Sequence, residues 1–154
     1  MRSRGASQLP FADGSFDLAV AYNALMDVED MPASVREARR AWRPDGTLVI
    51  SIVHPLFDHG RFDGEGPDAP FMVGGSYFER QRFEGADERD RLTMPFAGWL
   101  RPPESCFAAL EAADFEITSL REPQAKLDGA DERLRRFERV PMFLWLSSSS
   151  NSED

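Results

Sequence analysis

Apolar positions along the chain gather into four short runs separated by polar, turn-rich segments. The first, Asp17–Tyr22 (DLAVAY), is nearly continuous and follows the turn formers Asp13, Gly14 and Ser15, which predicts a strand buried on both faces. In Met31–Arg43 (MPASVREARRAWR) the period changes. Met31, Val35, Ala38 and Trp42 share one helical face, and Arg36, Arg39, Arg40 and Arg43 fall on the others. Asp30 is placed to cap this helix, and Pro32 is tolerated in a first turn. The helix is expected to stop near Arg43, because Pro44 disfavours helical geometry before it and Asp45-Gly46 supplies a turn. Thr47–Val53 (TLVISIV) follows as a second buried strand. Strand, amphipathic helix and strand in this order form a βαβ unit with parallel strands.

From Pro55 to Arg101 the chain is rich in Gly, Pro, Asp and Arg, yet it carries Phe57, Phe62, Phe71, Tyr77, Phe78, Phe83, Phe96 and Trp99. That is too aromatic for a disordered linker, so residues 55–101 are expected to form an ordered insertion or lid, with Gly75–Phe83 and Arg91–Phe96 as strands of a small hairpin. Pro103–Ala113 returns to helix, Phe115–Leu120 (FEITSL) alternates like a half-exposed strand, and Val140–Leu146 (VPMFLWL) is a last apolar strand. Between them, the charged Asp131–Arg139 suits a short helix. The fold class is thus α/β, an open sheet of four strands with a domain over 1–147 and a disordered tail over 148–154.

Charge and cysteine content narrow the chemistry. With 18 Lys and Arg against 27 Asp and Glu, the net charge of −9 repels polyphosphate backbones, which argues against nucleic acid and in favour of a small or cationic ligand. The single cysteine, Cys106, allows neither an intrachain disulfide nor a cysteine metal cluster, and suits a cytoplasmic location. No apolar run is long enough for a membrane span, and Met1–Ser7 lacks the apolar core of a secretory signal. No metal is expected.

Two segments together resemble a known family, the class I S-adenosylmethionine-dependent methyltransferases of the small-molecule type. Leu9–Asp17 (LPFADGSFD) is similar to the family's LPF-x-D-x-SFD entrance to its fourth strand. Glu37–Leu48 (EARRAWRPDGTL) resembles its E-x-x-R-v-L-r-P-G-G-x-l helix and turn. Arg101-Pro102, Ala109–Phe115 (ALEAADF) and the closing apolar strand are similar to later elements. The resemblance implies a partial Rossmann-like sheet, equivalent to the family's fourth to seventh strands, and S-adenosylmethionine as cofactor. Nothing in the chain matches the glycine-rich loop after the family's first strand or the acidic residue that ends its second. A truncated domain, incomplete on its own, is therefore the expectation. Within the matched part, Gly5 stands where the family often has an acidic residue near the adenine. Asp45 and Asp114 stand where it has turn glycines.

In an open α/β sheet ligands bind beyond the carboxyl ends of the strands. Tyr22, Asn23 and Ala24 end the first strand, and the resemblance implies that they face the cofactor's methionine end, with Ala6 as a further cofactor contact. The competing reading of Asn23 is a simple turn residue. His54 ends the second strand, where it is the candidate base for a proton-bearing nucleophile; a histidine bonded to a loop group is the plain alternative. Tyr77, Phe96 and Trp99 are candidates to line a substrate site or attract a sulfonium, against the reading that they are the insertion's own core. Asp27, Glu29 and Asp30 are explained by helix capping, and His59 is expected to be an exposed loop residue.

The leading function is methyl transfer from S-adenosylmethionine to a small-molecule acceptor. The alternative is a non-catalytic remnant or protein-interaction module, because a sheet beginning at Asp17–Tyr22 leaves an edge flanked by Leu18 and Val20, which invites a homodimer. A serine hydrolase is excluded by the lack of a G-x-S-x-G elbow, and a nicotinamide dehydrogenase by the lack of a dinucleotide glycine loop.

Overall fold

The structure, a computed structural model, describes residues 5–89, 91–129 and 131–150. Residues 151–154 of the expected tail lie outside the described residues. Strand β1 (Phe16–Tyr22), helix α1 (Met31–Ala41) and strand β2 (Trp42–Val53) form the βαβ unit, with β1 and β2 parallel. Asp30 caps α1 through its carboxylate, which accepts from the Ala33 N–H at 2.9 Å. The helix ends at Ala41, earlier than its apolar period suggests. Trp42 is already extended (φ −99°, ψ 144°), one residue before Arg43, the position whose helical geometry Pro44 disfavours.

Behind the unit, α3 (Pro103–Glu111), β7 (Phe115–Arg121) and β8 (Phe143–Ser150) complete a four-stranded sheet in the order β1-β2-β8-β7, with β8 antiparallel to both neighbours. The insertion holds the short helix α2 (Pro55–Asp58), the small pair β3 (Gly60–Phe62) with β4 (Phe71–Val73), and the hairpin β5 (Gln81–Arg89) with β6 (Leu92–Leu100). That hairpin is longer than expected and begins later. A 3-10 helix covers Glu132–Glu138. Strand β8 runs into the serine run that composition assigns to a tail. The Ser148 side chain is 1% exposed and its hydroxyl donates to Glu116 O at 2.7 Å, so these serines complete a strand.

The core lies on one face of the sheet. Leu48, Ile50, Ile52, Leu144, Leu146 and Phe115 point toward Met31 and Val35 of α1 and Cys106, Ala109 and Leu110 of α3, with Ala19 and Ala21 of β1 packed against them. The opposite face is open. Leu18 (54%), Val20 (63%) and Tyr22 (71%) are exposed, as are Val49 and Trp145. The expectation of a first strand buried on both faces is thereby corrected: a continuous apolar run implies two covered faces only if something lies over each, and both main helices lie on the same side. Among the described residues no helix is long and apolar enough to cross a membrane.

The two motifs that carried the family resemblance are physical partners. The Glu37 carboxylate accepts from Leu9 N–H at 2.8 Å and from Arg40 at 2.7 Å, and Arg40 reaches on to Phe11 O at 2.9 Å and to the Asp13 carboxylate. The E-x-x-R pair therefore clamps the LPF-x-D segment to α1. Hydrogen bonding to Arg40, and then to Leu9 N–H, lowers the Glu37 carboxyl to about 2. A carboxyl held below its unfolded value contributes stability above that value and loses it as pH falls through the folded one. Wild type is expected to lose urea resistance more steeply than Glu37→Gln between about pH 4.3 and about pH 2. Parallel curves would show that the clamp contributes nothing.

Gly46 shows why the turn before the apolar part of β2 retains its glycine. A Cβ there would lie 2.2 Å from Trp42 Nε1 and 2.7 Å from Asp17 O. Of the two aspartates standing at family glycine positions, Asp114 adopts the left-handed backbone (φ 57°), whereas Asp45 is not among the residues with positive φ.

Candidate active site

The carboxyl ends of β1 and β2 lie side by side, with Tyr22 in register with Ser51. Beyond them the chain turns sharply at Asn23, which takes a left-handed backbone (φ 45°) that asparagine tolerates better than most residues. Its N–H donates to Ser51 O at 2.7 Å, and its side-chain oxygen accepts from the Ser51 hydroxyl at 3.1 Å. These bonds fix the carboxamide and leave its NH₂ group without a partner among the described residues. Tyr22 stands beside it with most of its side chain exposed. Ala24 starts the loop that leads to Leu25, whose side chain is buried.

His54 follows β2 and caps α2. Its Nδ1 accepts from Leu56 N–H at 3.1 Å, so the ring proton resides on Nε2, which donates to Glu122 Oε1 at 2.9 Å. Both ring nitrogens are thus engaged. The histidine joins the end of β2 to the segment just after β7.

Between this shelf and the insertion is a small cavity, with a volume of about 30 Å³, walled by Leu25, Met26, Val53, Trp99 and Cys106 and bearing the charged groups of Asp58 and Arg101. Arg101 donates to Leu25 O (3.3 Å), Val28 O (2.7 Å) and Glu29 O (2.9 Å), which ties the loop after β1 to the start of α3. Trp99 N–H donates to Met26 O at 2.9 Å, and its ring carries the Arg80 guanidinium at 3.9 Å. Burial drives the Asp58 carboxyl up to about 6; His59 opposes that rise and Asp27 adds to it. Burial also pushes the Cys106 thiol up to about 11, so it stays protonated and packs as an apolar group.

The structure gathers some of the sequence candidates and separates others. Tyr22, Asn23, Ala24 and His54 share the strand-end shelf, and Trp99 lines the adjoining cavity. Tyr77 is half-buried with its ring 5.1 Å from that of His59. Phe96 sits out on the hairpin, half exposed and folded over Gly85. Ala6 lies in an exposed turn closed by Gln8 N–H donating to Gly5 O. The expectation for His59 is corrected: it is buried, with 8% exposure, and its Nδ1–H donates to Pro55 O at 2.7 Å. Sequence reasoning passed over Asp58 because the carboxyl becomes desolvated only when α2 folds under the loop after β1. Among the described residues no group of three or more His, Cys, Asp or Glu is placed to hold a metal ion.

The open sheet and its strand order are the fold found in solved S-adenosylmethionine-dependent methyltransferases. The Methyltransferase domain family matches residues 1–50. Over 45 residues the chain is 47% identical to a demethylmenaquinone methyltransferase of Mycolicibacterium vanbaalenii, a stretch that covers 29% of this chain and 20% of that protein. It superposes on a putative S-adenosylmethionine dependent methyltransferase from Listeria monocytogenes with a TM-score of 0.74 at 18% identity, covering 98% of this chain and 68% of that one. An S-adenosylmethionine dependent methyltransferase from Mesorhizobium loti gives a TM-score of 0.72 at 24% identity, with 94% and 66% covered. The chain thus spans a fifth of the length of the curated relative and about two thirds of the length of the two structures.

Proposed function

We propose that this chain carries the acceptor side and one end of the cofactor site of a methyltransferase that moves a methyl group from S-adenosylmethionine to a small molecule. The observation that carries the reading is the shelf at Asn23, where a left-handed turn locked to Ser51 leaves the carboxamide NH₂ without a partner among the described residues at the parallel strand ends. Those residues fit one end of the cofactor. The Asn23 NH₂ suits the carboxylate of its amino-acid moiety, and the exposed Tyr22 ring suits its cationic centre. When bound, the cofactor supplies an electrophilic methyl group on a sulfonium.

The chain's own residues position the partners, which is most of what such a transfer requires. His54, pinned between Leu56 N–H and Glu122, acts as a positioning residue that holds the strand-end loops together; it accepts a proton at Nδ1 only if the Leu56 bond opens. Trp99 and Tyr77 are the proposed acceptor-side walls, and Ala6 remains a proposed outer contact. S-adenosylhomocysteine titrated into the labelled chain is expected to perturb backbone amide resonances concentrated at residues 22–24. Asn23→Leu is expected to weaken that response about tenfold, the loss of one hydrogen bond to a charged group. No perturbation at those residues at millimolar ligand would overturn the reading.

The open face of β1 supports a second reading, a homodimer through this sheet edge. Antiparallel pairing of two copies of β1 about Ala19 puts Phe16 opposite Tyr22, Leu18 opposite Val20 and Asp17 opposite Ala21. The four exposed apolar residues then become cross-strand neighbours, and the only charge on the strand meets no like charge. Among the described residues this edge carries no lysine or proline to discourage such pairing.

A further inference from the structure

We propose that Asp58 is the docking point for the amine or ammonium head group of a small ligand, which deepens the methyl-transfer reading above by naming the acceptor as a nitrogen compound. Asp58 closes α2 and its backbone N–H donates to His54 O at 3.0 Å, so it is one turn from the strand-end shelf. Its side chain reaches a cavity whose other walls are mainly apolar, among them Leu25, Met26, Val53 and Trp99. Arg101 is the other charged group on that wall, and its guanidinium is already committed to the carbonyls of Leu25, Val28 and Glu29. The Asp58 carboxylate accepts no hydrogen bond from any described residue. A half-buried carboxylate with no donor among those residues is met only by solvent on its open side, and a ligand N–H group is a partner that fits it.

The size and surroundings of the cavity select the ligand. A volume of about 30 Å³ is enough for a group the size of water or ammonium. The groups facing the carboxyl are Asp27 from the loop after β1 and His59 from the end of α2; burial and Asp27 raise its affinity for a proton, and His59 lowers it. A cationic nitrogen relieves the repulsion between the two carboxylates, whereas an alcohol leaves it in place. The overall charge of −9 favours the same class of ligand at longer range.

The test uses the full chain, labelled with carbon-13, with the side-chain carboxyl resonance of Asp58 as readout and n-butylammonium and n-butanol as probes. Butylammonium is expected to shift that resonance saturably, at least tenfold more strongly than butanol at equal concentration. Asp58→Asn is expected to abolish amine-induced shifts in the neighbouring Leu25 and Trp99 signals. An equal response to the two probes overturns the proposal, and this comparison needs no variant to fold. Amine-induced shifts that survive in a folded Asp58→Asn variant overturn it as well. The outcome also separates the two readings: amine binding without any response to S-adenosylhomocysteine keeps the Asp58 site and removes the methyl-transfer function, and the reverse result removes the site alone.

Discussion

Ile50→Ala is expected to destabilise the folded chain by about 2–5 kcal/mol, the range for truncating a buried aliphatic side chain that leaves a cavity. Ile50 is 1% exposed, at the middle of β2, where it is in register with Ala21 on one side and Leu146 on the other. Its side chain belongs to the cluster shared with α1 and α3. Neither neighbouring strand can close over the gap without breaking register, so the cavity term is retained. Thermal unfolding followed by circular dichroism checks this. A domain of this size shifts by roughly 2–4 °C per kcal/mol, which predicts a Tm lower by about 4–20 °C. A loss under about 1 kcal/mol would mean that the sheet relaxes around Ile50 and that the core is less tightly packed than its burial indicates. Val49→Ala, one residue away on the open face, is the internal contrast and is expected to change stability by no more than about 0.5 kcal/mol.

The second large effect concerns association. Val20→Lys is expected to convert the proposed β1-paired dimer into monomer, weakening it by about 100-fold or more. The side chain is 63% exposed in the single chain, so the substitution costs the protomer little. In the two-fold pairing about Ala19, however, each Val20 faces Leu18 of the other copy, and one substitution therefore changes two apolar pairs at once. It also places an ammonium on the edge, the device with which natural sheets discourage pairing. Sedimentation velocity over a range of concentrations measures the outcome. Identical behaviour of wild type and Val20→Lys, whether both are monomers or both are dimers, would remove β1 as the interface. High salt is expected to favour the wild-type dimer, because each copy brings a charge of −9 to the contact.

Much of the local structure was legible in the sequence because it follows from short-range physics. Asp30 as a cap, the end of α1 ahead of Pro44 and the alternation in β7 are set by residues within a few positions of one another, and the parallel pairing of β1 with β2 follows from the strand-helix-strand order rather than from neighbouring residues. Even the motif resemblance had a local basis on one side, the i, i+3 spacing of Glu37 and Arg40. Their partners Leu9, Phe11 and Asp13 lie about thirty residues earlier, and nothing in the spacing shows that the two motifs hold each other. His59 illustrates the opposite limit. Between Asp58 and Gly60 it has the polar setting of a loop residue, yet α2 turns its ring toward Tyr77 and buries it.

The α/β class and the order of the main sheet strands and helices follow from hydrophobic period, proline and capping residues, which act locally, whereas α2 and the β3–β4 pair of the insertion do not. Tertiary structure alone decided three things: which face of β1 is covered, how the nitrogens of His54 are spent, and that the Asp58 carboxyl lies desolvated and without a donor beside the strand-end shelf. Each of these depends on distant segments meeting. Burial and hydrogen-bond partnership belong to the assembled surface and not to the residue, so the same Leu18 or Asp58 has a different character according to what is packed against it.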